Sequence, residues 1–333
     1  MTALAQQFDA LLFDLDGVVY IGPHAVPHAA EAIAQARDRG VRCAFITNNA
    51  ARTPQVVAEH LTGIGVACTI DEVVTSPQAA VTVLGEFVPP GSRVLVTGGD
   101  GIADELRSRG YVPVRTLAEQ PAAVMQGFSP DLGWRDLAEA CFAVRAGLPW
   151  IATNLDRTFP TPGGAAPGNG SLVGVVAATV GRRPDAVAGK PEPPLLHEAI
   201  GRLGARHPLM VGDRLDTDIE AGARIQIPTL LVMTGITTVE EVLGAGAHER
   251  PTYLGLDLRV LAEPYTAPVV DGTGASARCG GSVVALRHGE LTVPEPGDRM
   301  EMLRAAAALA WAIADAGAAR PDTGGVRQAW GAT

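Results

Sequence analysis

Residues 10–17 read Ala-Leu-Leu-Phe-Asp-Leu-Asp-Gly, and the fold turns on how they are read. Ala10–Phe13 is a short apolar run that stops abruptly at Asp14. A run of that length, bounded by polar residues, suits a strand buried on both faces of a parallel sheet. Asp14 and Asp16 then stand at the strand's carboxyl end, where open α/β sheets bind their ligands. Alternation puts the two carboxylates on roughly one side, and Gly17 lets the chain turn sharply. By itself the pattern is weak, because Asp and Gly after a strand are also ordinary turn formers.

Outward from this strand, apolar runs alternate with helical stretches. Pro27 and His28–Arg39 read as a helix closed by Gly40, Cys43–Ile46 as a buried strand, and Thr53-Pro54 opens a helix to Leu61. Val73–Thr75 and a helix over Pro77–Leu84 continue the alternation, which implies parallel βαβ units. Pro89-Pro90-Gly91 marks a break. Beyond it, Val94–Val96, Ala103–Arg109, Ala123–Gln126, Leu132–Ala146 and Trp150–Ala152 form a second α/β unit. A loop over Thr158–Gly170 and a helix to Val180 close that unit, and the first pattern resumes near Val187. Pro194–Leu203 reads as a helix, and Leu209–Val211 and Thr229–Val232 as strands. The expected fold is α/β: a doubly wound parallel sheet over 1–87 and 181–263, with an inserted α/β cap domain at 88–180. Residues 264–333 are a C-terminal extension of unassigned role, with a strand at Val283–Leu286, an Ala-rich helix at Arg299–Ala316 and a frayed tail from Pro321.

The chain has 333 residues, enough for about two domains, and 47% hydrophobic against 19% charged residues describes a globular chain. A net charge of −10 with no basic run argues against nucleic acid and anionic membrane surfaces as partners. No segment is long and apolar enough to span a bilayer, and Met1–Ala10 lacks the features of a secretory signal. Cys43, Cys68, Cys141 and Cys279 are too scattered for a zinc site or disulfide framework, so reduced thiols and a cytoplasmic location are expected.

Three further strand ends carry chemistry. Thr47-Asn48-Asn49 offers hydroxyl, amide and backbone N–H groups to phosphate oxygens; the competing reading is a polar turn or helix cap. Gly189-Lys190-Pro191 precedes a helix, and Lys190 is the one lysine among 26 cationic residues. A chain that otherwise uses Arg throughout keeps a compact ammonium here, as a site needing a point charge would require. Leu209–Gly212 ends at Asp213, followed by Asp216-Thr217-Asp218; a helix starting at Thr217 or Asp218 would make Asp218 a cap. In a doubly wound sheet these ends share one edge. Asp14, Asp16, Asp213 and Asp218 then form a hard oxygen donor set suited to Mg²⁺.

The order Asp-x-Asp-Gly, Thr-Asn, Gly-Lys-Pro, Gly-Asp-x-x-x-Thr-Asp resembles the haloacid dehalogenase superfamily of phosphatases. The insertion between the Thr and Lys motifs resembles its large α/β cap subgroup, class IIA. So do the phrases Phe13–Tyr20, Ile46–Asn49, Ile151–Asp156, Pro167–Gly170 and Leu209–Ile219. The likeness covers about residues 8–263, and the long extension is similar to actinobacterial glycerol 3-phosphate phosphatases.

The resemblance implies Asp14 as nucleophile, forming an aspartyl-phosphate, and Asp16 as general acid and then base. It implies Mg²⁺ on Asp14, the Asp16 backbone carbonyl and Asp213, with Asp218 behind the metal's waters or Lys190. Thr47, Asn48, Asn49 and Lys190 hold the phosphoryl group, while Asn154 and Asp156 of the cap meet the rest of a small phosphomonoester; Arg157 is a lesser candidate. A homodimer through the cap is a further expectation of the subgroup. Asp16 favours ester hydrolysis over dehalogenation, since a leaving halide needs no proton. Phosphoglycolate, nucleoside monophosphates and pyridoxal phosphate are alternative substrates. A phospho-accepting receiver domain lacks a place for the insertion and carries its acceptor on a middle strand. A catalytically silent sugar-phosphate binder remains as a different class. His24 and His28 are expected to be bland, and Trp134 and Trp150 to lie in the cap core.

Overall fold

The computed structural model describes residues 2–161 and 163–332, and the chain divides into two compact units, 1–42 with 207–333 and 43–206.

In the first unit, Ala10–Phe13 pairs in parallel with Pro208–Gly212, then come Thr229–Val232 and Tyr253–Gly255. Every residue of Ala10–Phe13, Pro208–Gly212 and Thr229–Val232 is buried, as their unbroken apolar runs require. The helix Ala29–Asp38 lies where His28–Arg39 was expected.

The extension is built into this unit. Val269–Val270, Ser276–Cys279, Ser282–Arg287 and Glu290–Glu295 form an antiparallel sheet covered by the helix Arg299–Asp315. Leu303, Ala306 and Leu309 of that helix share one apolar cluster with Ile219, Leu231 and Leu254 of the parallel-sheet region. Arg304 donates to the Leu254 carbonyl at 3.0 Å and lies 4.2 Å from the Tyr265 ring centroid. Trp311 Nε1 donates to the Val242 carbonyl at 2.9 Å. The tail expected to fray instead contains the helix Gly324–Ala332, with Val326 fully buried in the same cluster. Its apolar residues are too few to be read as a helix without the sheet they pack on.

In the second unit, Arg42–Thr47 and Val73–Thr75 pair in parallel. A five-stranded parallel sheet runs in the order Ala186–Val187, Trp150–Ala152, Ala123–Gln126, Arg93–Thr97, Val112–Val114. Ala186–Val187 thus completes the inserted sheet, past the boundary expected at 180. Within Thr158–Gly170, read as a loop, Thr158–Thr161 and Gly164–Pro167 form an antiparallel hairpin. Trp150 is fully buried and donates Nε1–H to Gln126 Oε1 at 3.1 Å. Trp134, also expected in the cap core, is 79% exposed at the start of the helix Trp134–Arg145. The helix buries Ala140, Cys141, Ala143 and Val144 instead, which turns its first residue outward.

None of the four cysteines is in a disulfide, and no helix among the described residues is long and apolar enough to cross a membrane. Because Leu303 sits in the cluster that joins extension to parallel sheet, Leu303→Ala is expected to cost about 2–5 kcal/mol. A lowered urea midpoint measured on the full chain checks this; an unchanged midpoint would mean that the extension stabilises nothing.

Candidate active site

Each unit carries part of the chemistry. In the first, carboxylate oxygens of Asp14, Asp213 and Asp218 lie within 4.8 Å of one another. Asp14 follows the last residue of Ala10–Phe13, and Asp213 follows the last residue of the adjacent strand Pro208–Gly212. Parallel pairing of these strands is what brings the two acids together. Asp213 and Asp218 are buried, and a buried acid cluster requires compensation by hydrogen bonds or a cation.

Backbone donors supply part of that compensation. Asp218 Oδ2 accepts from the amides of Asp213 at 3.2 Å and Arg214 at 3.1 Å. Asp218 therefore does not cap a following helix; it reaches back to the strand end. A π-helical turn over Leu215–Ile219 carries it there, with the Ile219 amide bonded to the Arg214 carbonyl five residues earlier. Asp213 Oδ2 accepts from the Ile236 amide at 3.0 Å, and its carbonyl accepts from Thr237 Oγ1 at 2.5 Å. Thr234 Oγ1 donates to the Gly17 carbonyl at 2.6 Å. These grips from 234–237 were not anticipated; the only signal in the sequence was Gly235 soon after an apolar strand.

Glycines make the approach possible. Gly17 has φ +86°, and a Cβ there would stand 2.6 Å from Asp213 Oδ2. Gly235 lies against the same carboxylate with no room for a Cβ. The Asp16 carboxylate is outside the cluster, and Asp16 is exposed. Three hard oxygen donors at this spacing fit a small divalent cation.

In the second unit, Thr47, Asn48, Asn154, Asp156 and Lys190 come together around Asn48. Asn48 Oδ1 accepts from the Lys190 amide at 2.8 Å. Its Nδ2 donates to the Lys190 carbonyl at 2.9 Å and to Asp156 Oδ2 at 3.0 Å. Both amide protons are thus committed, and the side chain clamps loops. The Asn48 carbonyl accepts from Asn154 Nδ2 at 2.7 Å and from Ser76 Oγ at 2.7 Å. Asn154 Oδ1 accepts from the Asp156 amide, and the Asn154 carbonyl accepts from Asn169 Nδ2. Asn154 is therefore occupied with shaping its loop. Gly189 passes so close to Asn48 and Thr153 that a Cβ would come within 2.6 Å of Asn48 Oδ1.

Asn49 Oδ1 accepts from the Ala51 amide at 2.8 Å, which is the polar-turn reading of that residue. Thr47 Oγ1 accepts from the Asn49 amide at 3.0 Å, leaving its own proton for another acceptor. Lys190 is only 3% exposed, unlike a solvated surface lysine. Arg157, His24 and His28 are exposed. Ser76 and Asn169 were missed as loop-holding residues; Asn169 lies in the phrase Pro167–Gly170 that contributed to the resemblance.

Residues 11–112 match the haloacid dehalogenase-like hydrolase family, and residues 187–261 match the HAD-hydrolase-like family. The chain is 41% identical over 314 residues to the D-glycerol 3-phosphate phosphatase of Mycobacterium tuberculosis, covering 93% of this chain and 88% of that protein. This chain is a haloacid dehalogenase-like hydrolase. It is also 34% identical over 257 residues to the acid sugar phosphatase of Staphylococcus saprophyticus, covering 76% of this chain and 96% of that one. The crystal structure of glycerol phosphate phosphatase from M. tuberculosis in complex with magnesium superposes with a TM-score of 0.85 at 40% identity, over 94% and 93% of the two chains. The p-nitrophenyl phosphatase of Archaeoglobus fulgidus has a TM-score of 0.72 at 29% identity, over 77% of this chain and 98% of its own. Within this family the chain is an enzyme of the phosphatase class.

Two substitutions test the geometry. Gly17→Ala places a methyl group against the Asp213 carboxylate and is expected to weaken Mg²⁺ binding about tenfold or more, measured by calorimetry on folded protein. Asn48→Ala strips three loop hydrogen bonds and is expected to destabilise the protein by about 1–3 kcal/mol in urea unfolding. A neutral Asn48→Ala would mean that the clamp holds nothing.

Proposed function

We propose that the protein hydrolyses small phosphomonoesters with Mg²⁺ and that glycerol 3-phosphate is its preferred substrate. The observation that carries the reaction is the cluster of Asp14, Asp213 and Asp218 at adjacent strand ends, with carboxylate oxygens within 4.8 Å. Asp14, Asp213 and the Asp16 carbonyl would hold the metal, and Asp218 would support it. When bound, Mg²⁺ offsets the repulsion between an attacking carboxylate and the phosphate dianion.

Asp14 attacks phosphorus as the bond to the ester oxygen breaks, giving an aspartyl-phosphate. Asp16 gives its proton to the departing alkoxide, then takes one from the water that attacks the same phosphorus and releases phosphate. Thr47 and Lys190 serve the phosphoryl oxygens. Asn48 fixes Lys190 and Asp156, and Asp156 faces the alcohol part of the substrate. The cap excludes water while the bond breaks.

The choice of substrate has separate support. An alignment of 314 residues with the glycerol 3-phosphate phosphatase must include most of 264–333. The acid sugar phosphatases match over 76% of the chain and are themselves covered to 96%, so they have no counterpart of the extension. The extension shares its apolar cluster with Leu231 and Leu254 of the neighbouring parallel strands and with Leu215 and Ile219 of the turn that carries Asp218.

A phosphate-release panel over glycerol 3-phosphate, phosphoglycolate, nucleoside monophosphates, pyridoxal phosphate and sugar phosphates, with Mg²⁺ or EDTA, tests this reading. Glycerol 3-phosphate is expected to have the highest kcat/KM, and EDTA to abolish turnover. Asp14→Asn is expected to remove activity while the fold persists. Lys190→Arg keeps the charge but replaces a compact ammonium with a planar fork, so a fall in kcat of about 10²-fold or more is expected. Full turnover by Asp14→Asn would end the covalent mechanism.

A further inference from the structure

The extension and the loops after two parallel strands line an open groove of about 490 Å³ on the first unit. Arg299, Arg327 and Trp330 come from the extension; Met233, Thr237 and Leu256 come from the loops. The Arg299 guanidinium carbon sits 3.8 Å from the Trp330 ring centroid, a stacked cation–π arrangement. Its Nε is buried and has no hydrogen-bond partner among the described residues. Arg299 is only partly buried, so an anion in the groove would meet the accessible part of its guanidinium rather than the covered Nε.

Arg327 is paired with Glu240, another lining residue, at 3.1 Å, with both side chains about half exposed or more. Such a pair is weakly held and can exchange partners. Counting Arg299, Arg327 and Glu240, the lining carries one net positive charge. A monoanion balances it, whereas a phosphate dianion would oppose Glu240. Met233, Leu256 and the Trp330 face supply an apolar surface. We propose that this groove is a binding site for a small monocarboxylate with an apolar body, its carboxylate on Arg299 and its body against Trp330.

The site has a route to the acidic cluster. Thr237 lines the groove and donates to the Asp213 carbonyl, while the preceding Ile236 amide donates to Asp213 Oδ2. A ligand that shifts 233–238 changes how Asp213 is held, and Mg²⁺ in turn changes affinity for the ligand by the same factor. This coupling rests on the metal assignment of the proposed function; the binding site does not.

Calorimetric titration of the full chain with benzoate and with isovalerate, without substrate, tests the site. Saturable binding is expected, weakened about tenfold in Arg299→Gln and strengthened in Glu240→Gln, which removes the competing acid. Arg299→Gln is expected to release phosphate at the wild-type rate when no carboxylate is added. Absence of saturable binding of either probe, or equal binding by Arg299→Gln, would overturn the proposal. Displacement of benzoate by lower concentrations of inorganic phosphate would overturn the choice of a carboxylate. In a second arm, saturating benzoate is expected to shift the Mg²⁺ concentration that gives half-maximal turnover. An unchanged Mg²⁺ requirement alongside intact benzoate binding would overturn the coupling alone, whereas turnover in EDTA would overturn the metal assignment.

Discussion

Three carboxylates held within 4.8 Å of one another repel, and much of the first unit is arranged to keep them there. Asp218 takes two backbone amides, and Asp213 takes another from Ile236. The π turn over Leu215–Ile219 exists in the place where an ordinary helical turn would aim Asp218 elsewhere. Gly17 and Gly235 are dictated by the same cluster, because a side chain at either position meets the Asp213 carboxylate. A hard divalent cation held by these oxygens would complete what the local donors begin, and its binding energy would offset the cost of assembling the cluster.

The second unit uses an uncharged device for a related purpose. Asn48 has one acceptor and two donor protons, and it spends them on Lys190 and Asp156. Three loops are thereby held at defined positions by one planar side chain. Such a side chain is expensive to bury unless every group is satisfied, and here the satisfaction is what couples the loops.

The extension has a structural meaning that its composition concealed. It contributes an antiparallel sheet and two helices to the apolar cluster that also contains residues beside the parallel strands. Packing of that kind transmits displacement, because a close-packed core has little room to absorb it. The groove around Arg299 and Trp330 lies along this shared surface, next to the loop that grips Asp213.

The parallel α/β core, the inserted α/β unit and the acids at strand ends were legible in the amino-acid order. Buried strands leave unbroken apolar runs, and Asp14 and Asp213 stop theirs at the carboxyl end. Lys190 was legible too, as the one ammonium in a chain of arginines. Tertiary structure decided what the remaining polar residues do. Asn48 and Asn154 have donors and acceptors on any reading; only the approach of distant loops shows those side-chain groups engaged with the backbone of neighbouring loops and, for Asn48, with the Asp156 carboxylate. Trp134 has the composition of a core residue, but the helix phase turns it to solvent. The direction in which Asp218 reaches depends on a π turn, and hydrogen-bond spacing has no signature in residue types. The last helix owes its existence to a sheet 30 or more residues earlier, and such non-local packing cannot be read from local periodicity.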